Sequence, residues 1–272
     1  MNPAELVRAY ARPNKKSLGQ HFLTQTATLD RIVSVLGSPP PPHVIEVGPG
    51  PGTLTSRLRA AGIEVTAIEI DRDACAFLGE VFGEDPGFRL RPGDAASTDI
   101  LPELLAETSV PVVGNLPYNV ANEIMFRAID AEQRPARMVL MFQLEVAERV
   151  ACQGHSSHFS PLSLNVANRY EARIALRLPP GAFFPPPKVD SAVVLLERRP
   201  TPLVDGEAER WMRKLSHAAF TQRRKMLRGS LRSVLDEPER WLSQAGIAGE
   251  TRPEALDVHD FARLARLLAA AA

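Results

Sequence analysis

Apolar and polar positions along this chain follow two spacings. Val44, Ile45 and Val47 make a nearly continuous apolar run, as expected of a parallel strand buried on both faces. The glycine-rich turn Gly48-Pro-Gly-Pro-Gly52 follows without a spacer, and Leu54 to Leu58 then opens an amphipathic helix. The same alternation predicts a strand over Ala67–Asp71, a helix over 72–82, a strand over Phe88–Ala95, a strand over Val110–Val113 and a helix over 120–130. A strand over Met138–Gln143 and a helix over 144–151 come next. Upstream, a helix is expected over Leu29–Leu36, and Pro39–Pro42 reads as a stiff connector. Glu171–Leu178 and Ser191–Glu197 read as antiparallel closing strands. From residue 205 the pattern is helical throughout, with helices expected over Glu207–Ala219, Arg223–Leu235, Glu239–Gln244 and Val258–Ala270. Strands alternating with helices predict an α/β fold with a Rossmann-like sheet over residues 1–204, and the remainder predicts a small all-α domain over 205–272.

The chemistry concentrates where strands end. Gly48, Gly50 and Gly52 let backbone approach a ligand closely. Pro49 and Pro51 lack the N–H groups that a phosphate cradle needs, and Thr53 stands where a dinucleotide fingerprint has its third glycine. Glu46, just before the turn, would repel a pyrophosphate and suit a cation. S-adenosylmethionine, with its sulfonium and ammonium, is therefore expected ahead of NAD or ATP. The plainer alternative, a structural turn with chance glycines, is weakened by the carboxylates of Glu69, Asp71 and Asp94 at the ends of the next two strands. Asn115-Leu-Pro-Tyr118 follows the fourth strand and offers an amide and a flat π face on a proline-stiffened turn. Phe183-Phe-Pro-Pro-Pro-Lys188 is a stiff aromatic loop between the closing strands.

Charge changes this picture by its distribution. The formal net charge of the 272 residues is zero, yet residues 40–110 carry 12 acidic and 5 basic side chains, while residues 210–232 carry 8 basic and none acidic. That basic run, which includes Arg223, Arg224 and Lys225, is expected on a helix whose self-repulsion an anion such as RNA phosphate would relieve. Cys75 and Cys152 have neither disulfide nor metal-ligand spacing, so no metal is expected. No run reaches the ~18 apolar residues of a membrane span. A cytoplasmic protein without membrane attachment is expected.

Taken together, Lys16-Ser-Leu-Gly-Gln-His-Phe-Leu23, Glu46-Val-Gly-Pro-Gly-Pro-Gly52, Glu69-Ile-Asp71, Gly93-Asp-Ala95, Asn115-Leu-Pro-Tyr118 and Phe183-Phe-Pro-Pro-Pro-Lys-Val-Asp-Ser191 closely resemble the KsgA/RsmA family of ribosomal RNA adenine dimethyltransferases. Phe220-Thr-Gln-Arg-Arg-Lys225 and Arg252-Pro-Glu-Ala-Leu256 resemble that family's C-terminal signatures. The resemblance implies a class I methyltransferase domain and a helical RNA-facing domain. Its activity would be S-adenosylmethionine-dependent dimethylation of two adjacent adenosines near the 3′ end of small-subunit rRNA, on a pre-30S particle and by a monomer. It places cofactor contacts at His21, Leu23, Gly48, Glu69, Asp94 and Asn115. Catalytic roles fall on Asn115, Leu116, Pro117, Tyr118 and Phe183, with Tyr118 and Phe183 clamping the base between them. RNA contacts fall on Arg223, Arg224 and Lys225. A methyltransferase acting on large-subunit rRNA or DNA would share the Asn-Leu-Pro-Tyr turn, and a non-catalytic ribosome-assembly factor would have lost its Asn or Tyr.

Overall fold

The computed structural model describes residues 1–10, 21–96, 99–107 and 110–271. Arg12, Lys15 and the Lys16–Gln20 part of the first motif lie outside the described residues. The chain forms two compact units, residues 1–147 with 174–198, and residues 148–173 with 199–272.

The first unit is the α/β body. Its strands are β1 (Phe22–Leu23), β2 (His43–Val47), β3 (Glu64–Glu69), β4 (Phe88–Pro92), β5 (Val112–Gly114), β6 (Arg137–Gln143), residues 174–178 of β7 (Tyr170–Leu178), β8 (Phe183–Phe184) and β9 (Ser191–Arg198). Seven of them form one sheet in the order β4-β3-β2-β5-β6-β9-β7, and β1 pairs with β8 in a separate ribbon. β4, β3, β2, β5 and β6 run parallel, and β9 returns antiparallel against β6. The chain starts in the middle at β2, winds outward through β3 and β4, then crosses back to β5. Between β2 and β5 lies the reversal of strand order at which such sheets bind ligands. The helices α1 (Pro3–Tyr10), α2 (Thr26–Val35), α3 (Thr53–Ala60), α4 (Arg72–Phe82), α5 (Ile100–Glu107) and α6 (Ala121–Asp130) belong here, with the first half of α7 (Leu144–Val150). Local rules explain their bounds: Asp71 caps α4 by accepting the Asp73 N–H, and α6 buries Ile124, Met125, Ala128 and Ile129 on one face.

The second unit is helical: α8 (Pro161–Ala167), α9 (Gly206–Thr221), α10 (Leu227–Ser230), α11 (Pro238–Gln244) and α12 (Val258–Ala270). Asp257 and Asp260 close a capping box at the start of α12. This unit differs from the division at 204/205 because residues 148–173 join it: Phe159, Leu164 and Ala167 belong to the same apolar cluster as Met212, Leu215, Phe261 and Leu264. A second difference is the helix expected over Arg223–Leu235. Only Leu227–Ser230 is α-helical there, with a short 3-10 turn after it. Leu227 and Arg228 give their backbone N–H groups to the carbonyls of Thr251 and Gly249 instead of to their own turn.

Among the described residues no helix is long and apolar enough to cross a membrane, and no group of three or more His, Cys, Asp or Glu could hold a metal ion.

Candidate active site

A cavity of about 240 Å³ opens at the C-terminal ends of β2, β3, β4 and β5. Each strand delivers one piece of its wall: Gly48 and Gly50 after β2, Glu69 at the end of β3, Asp94 after β4 and Asn115 after β5. The glycine turn is built for this position. Gly48, Gly50 and Gly52 have φ of 66°, 55° and 79°, a region that side chains avoid. A Cβ on Gly50 would lie 2.8 Å from the cavity-lining Phe22 ring, and one on Gly52 2.5 Å from Phe82, so neither position has room for a side chain.

Glu69 is 2% exposed, and its two carboxylate oxygens accept the backbone N–H groups of Gly50 and Asp71, each at 2.9 Å. Those bonds fix its orientation and leave further lone pairs for a ligand. Burial nevertheless pushes its carboxyl above the usual range, against the pull of the backbone donors. Asp94 accepts the Ala96 N–H at 2.9 Å. Glu46 corrects the charge argument made from sequence. It is 1% exposed, accepts the Thr55 hydroxyl at 2.6 Å, and burial pushes it up to about 8. At neutral pH Glu46 is therefore mostly the neutral acid, and the negative charge that the sequence reading placed there is largely absent.

The Asn115–Tyr118 turn lines the cavity with all four residues. Asn115 Nδ2 donates to the His21 carbonyl at 3.0 Å, so Oδ1 is the amide atom left to accept. Tyr118 donates to or accepts from Ser191 Oγ at 2.7 Å, and its ring lies near-parallel to His21 with centroids 6.0 Å apart. Burial raises the Tyr118 phenol pKa, which keeps it neutral.

Of the ten residues expected to contact cofactor or base here, Leu23 and Phe183 are not among those lining the cavity. They are 0% and 5% exposed and sit opposite one another in the ribbon, their side chains in the body's apolar core. Phe183 therefore does not face Tyr118 across the cavity in this structure. The ribbon's other pair, Phe22 and Phe184, points away from that core: Phe22 lines the cavity and Phe184 is 56% exposed. Phe22 and Ile70 were not read from the sequence as site residues. Ile70, 59% exposed at the mouth beside Glu69, carried one signal: a strand residue between two carboxylates at a sheet edge.

In the second unit, Arg223, Arg224 and Lys225 occupy a turn just after α9, not a helix. Arg223 is engaged. It donates to the carbonyls of Ser157 and Phe159 and pairs with Glu254 at 3.3 Å. Arg210, Arg213 and Arg228 have carboxylate partners in Glu207, Glu209 and Glu250. Arg224 and Lys225 are exposed and have no partner among the described residues. The basic run is thus less self-repelling than the residues 210–232 suggest, because its acids lie before and after that window.

The family described as "Ribosomal RNA adenine dimethylase" matches residues 11–270. The Ribosomal RNA small subunit methyltransferase A of Chelativorans sp. (strain BNC1) is 44% identical over 257 residues, covering 93% of this chain and 92% of that protein. The protein of that name from Pseudomonas savastanoi pv. phaseolicola (strain 1448A / Race 6) is 35% identical over 266 residues, covering 97% of each. Among solved structures, the 23S rRNA methyltransferase ErmE superposes with a TM-score of 0.72 at 25% identity, covering 90% of this chain and 98% of that one. A dimethyladenosine transferase from Plasmodium falciparum shares the fold, with a TM-score of 0.73 at 24% identity, covering 90% and 96%. With a family match along almost all of its length and relatives well above 30% identity, the chain belongs to the ribosomal RNA adenine dimethylase family.

Proposed function

We propose that the chain dimethylates N6 of two adjacent adenosines in the 3′-terminal hairpin loop of small-subunit rRNA, using S-adenosylmethionine, as a monomer on a pre-30S particle in the cytoplasm. The observation that carries this reading is the Asn115 amide. Its Nδ2 is committed to the His21 carbonyl, which leaves Oδ1 as the acceptor of a residue that lines the cavity. The lining also includes Glu69, Asp94 and a proline-punctuated glycine turn, which suit a cationic nucleoside and not a pyrophosphate.

The residues fit the cofactor. Glu69 would take the ribose hydroxyls on its remaining lone pairs, Asp94 the adenine amino group, and the Gly48 turn and His21 the methionyl part. When bound, S-adenosylmethionine supplies a methyl group carried on a sulfonium. Everything else is positioning. An exocyclic adenine nitrogen is a poor nucleophile because its lone pair is delocalised into the ring. By accepting its two N–H bonds, Asn115 Oδ1 and the Leu116 carbonyl favour a pyramidal nitrogen with its lone pair directed into the cavity. Pro117 stiffens the turn, and Tyr118 offers its face to the extruded base. The proton released by the product passes to water. No anion develops that would need an oxyanion hole. Arg224 and Lys225 would meet the phosphate backbone without reading sequence.

The large-subunit alternative shares this fold, as the ErmE likeness shows, but the relatives named for the small subunit are the more similar ones. A non-catalytic role is disfavoured by Asn115 and Tyr118, both present and both lining the cavity. Incubating the protein with methyl-labelled cofactor and undermethylated small subunits, then mapping the label, tests the reading. Label on two adjacent adenosines of the 3′-terminal hairpin is expected. Label only on large-subunit rRNA, or none on RNA, would overturn it.

A further inference from the structure

The β1–β8 ribbon carries an exposed aromatic that the proposed chemistry leaves idle. Strand alternation sends Leu23 and Phe183 into the core and Phe22 and Phe184 the other way, so Phe184 lies beside a cavity-lining ring and is itself 56% exposed. A single exposed apolar side chain is ordinary. Three features separate Phe184 from that background. Its backbone is paired in a ribbon. The loop it opens is fastened at both ends to cavity residues, because His21 Nδ1 donates to the Pro185 carbonyl at 2.7 Å and Ser191 Oγ pairs with the Tyr118 hydroxyl at 2.7 Å. Between those anchors the loop exposes a second apolar side chain, Val189, at 46%, next to the exposed cation Lys188. Asp190 is also exposed, but its carbonyl is tied to the Leu144 N–H, which holds the base of the loop against α7.

An exposed aromatic face paired in register with a ring that lines the base-accepting cavity, with an exposed cation four residues on in the same anchored loop, matches a single-stranded nucleotide: a flat π system followed by a phosphate. We propose that Phe184 is a stacking platform for the RNA base next to the one in the cavity, with Lys188 answering the phosphate between them. The inference rests on the functional reading above, in which two adjacent adenosines are modified and one waits outside while the other reacts.

The test compares Phe184→Ala and Phe184→Trp with the parent in single-turnover methylation of undermethylated small subunits. The alanine protein should need about tenfold more subunit for half-saturation, with unchanged cofactor affinity by calorimetry. The tryptophan protein should return to roughly the parent value. An alanine protein that matches an active parent overturns the platform. So does a loss of concentration-dependent self-association in the alanine protein with kinetics unchanged, which would make Phe184 a contact between copies. An inactive parent would count against the functional reading instead, so the ring is also tested without turnover. Phe184→Trp is titrated with a short adenosine-rich RNA. Quenching of its added indole emission, measured against a parent control, supports stacking, and unchanged emission at saturating RNA overturns it.

Discussion

In the proposed reaction Asn115 serves in one orientation only, the one set by its Nδ2 bond to the His21 carbonyl. Replacing it with Ala should leave cofactor binding nearly intact and lower the single-turnover rate far more than RNA affinity, because the lost acceptor aligns the reacting nitrogen. Equal losses in both, with no separate rate defect, would contradict the role. Glu46 makes a prediction of a different kind. Its carboxyl, held up to about 8 by burial, keeps its proton in the folded protein long after the unfolded chain has released it near 4.5. Across that interval the folded state binds more protons, so stability is full below the unfolded value and falls as pH rises through the folded one. The slope approaches about 1.4 kcal/mol per pH unit at most. Glu69, also raised by burial, adds the same sign in both proteins. Denaturant midpoints measured at about pH 6 and pH 8 should therefore fall less for Glu46→Gln than for the parent, and parallel curves would remove the assignment. The contrast shows what sequence conveys about single residues. Glu69, Asp94, Asn115 and Tyr118 were legible because strand ends follow from pattern. The protonation of Glu46 was not, because burial is set by packing. The parity of Phe183 and Phe184 was not either, since a two-residue strand such as β8 has no pattern to read.

Among elements, the segment after α9 shows tertiary contacts overriding a helical pattern. The backbone donors of Leu227 and Arg228 go to residues 249–251, and Arg223 is drawn to the 157–159 carbonyls and Glu254. None of these partners lies within a helical turn in sequence, so no periodicity could reveal them. α8 is the opposite case. Ser160 caps it with Pro161 at the first position, a readable start signal, but seven residues are too few for periodicity to stand out. The division of labour among the cations follows from these contacts. Arg223→Ala should lower thermal stability, by about 1 kcal/mol for a half-exposed ion pair with carbonyl bonds. Arg224→Ala combined with Lys225→Ala should leave the melting temperature unchanged and flatten the salt dependence of subunit binding, by on the order of one logarithmic slope unit per lost contact. A double variant that keeps the parent's salt slope would make this turn a solvated surface and nothing more.

For the molecule as a whole, a net charge of zero joins two units of opposite sign. The α/β unit carries 16 basic and 20 acidic side chains, a net of −4, and the helical unit 16 and 12, a net of +4. Each sign suits the proposed ligand of its unit, a cationic nucleoside in the first and RNA phosphate in the second. The βα alternation makes the sheet legible in the sequence, and the run of helical spacing does the same for the C-terminal helices. The membership of residues 148–173 was hidden, because Phe159 and Leu164 reach an apolar cluster built mainly from residues beyond 203. If the cofactor binds the first unit alone, its effect should be confined there. At about one hundred times its Kd a ligand stabilises the state that binds it by about 2.7 kcal/mol. Hydrogen exchange with S-adenosylmethionine present should then slow for amides around Gly48–Gly52, Glu69–Asp71 and Asn115–Tyr118, while amides of α9 and α12 keep their rates. Asp94→Ala should shrink that protection in step with its weaker binding. Protection spread evenly over both units would mean that the cofactor is felt beyond the unit that contains its proposed contacts, and the assignment of those contacts to the first unit alone would fail.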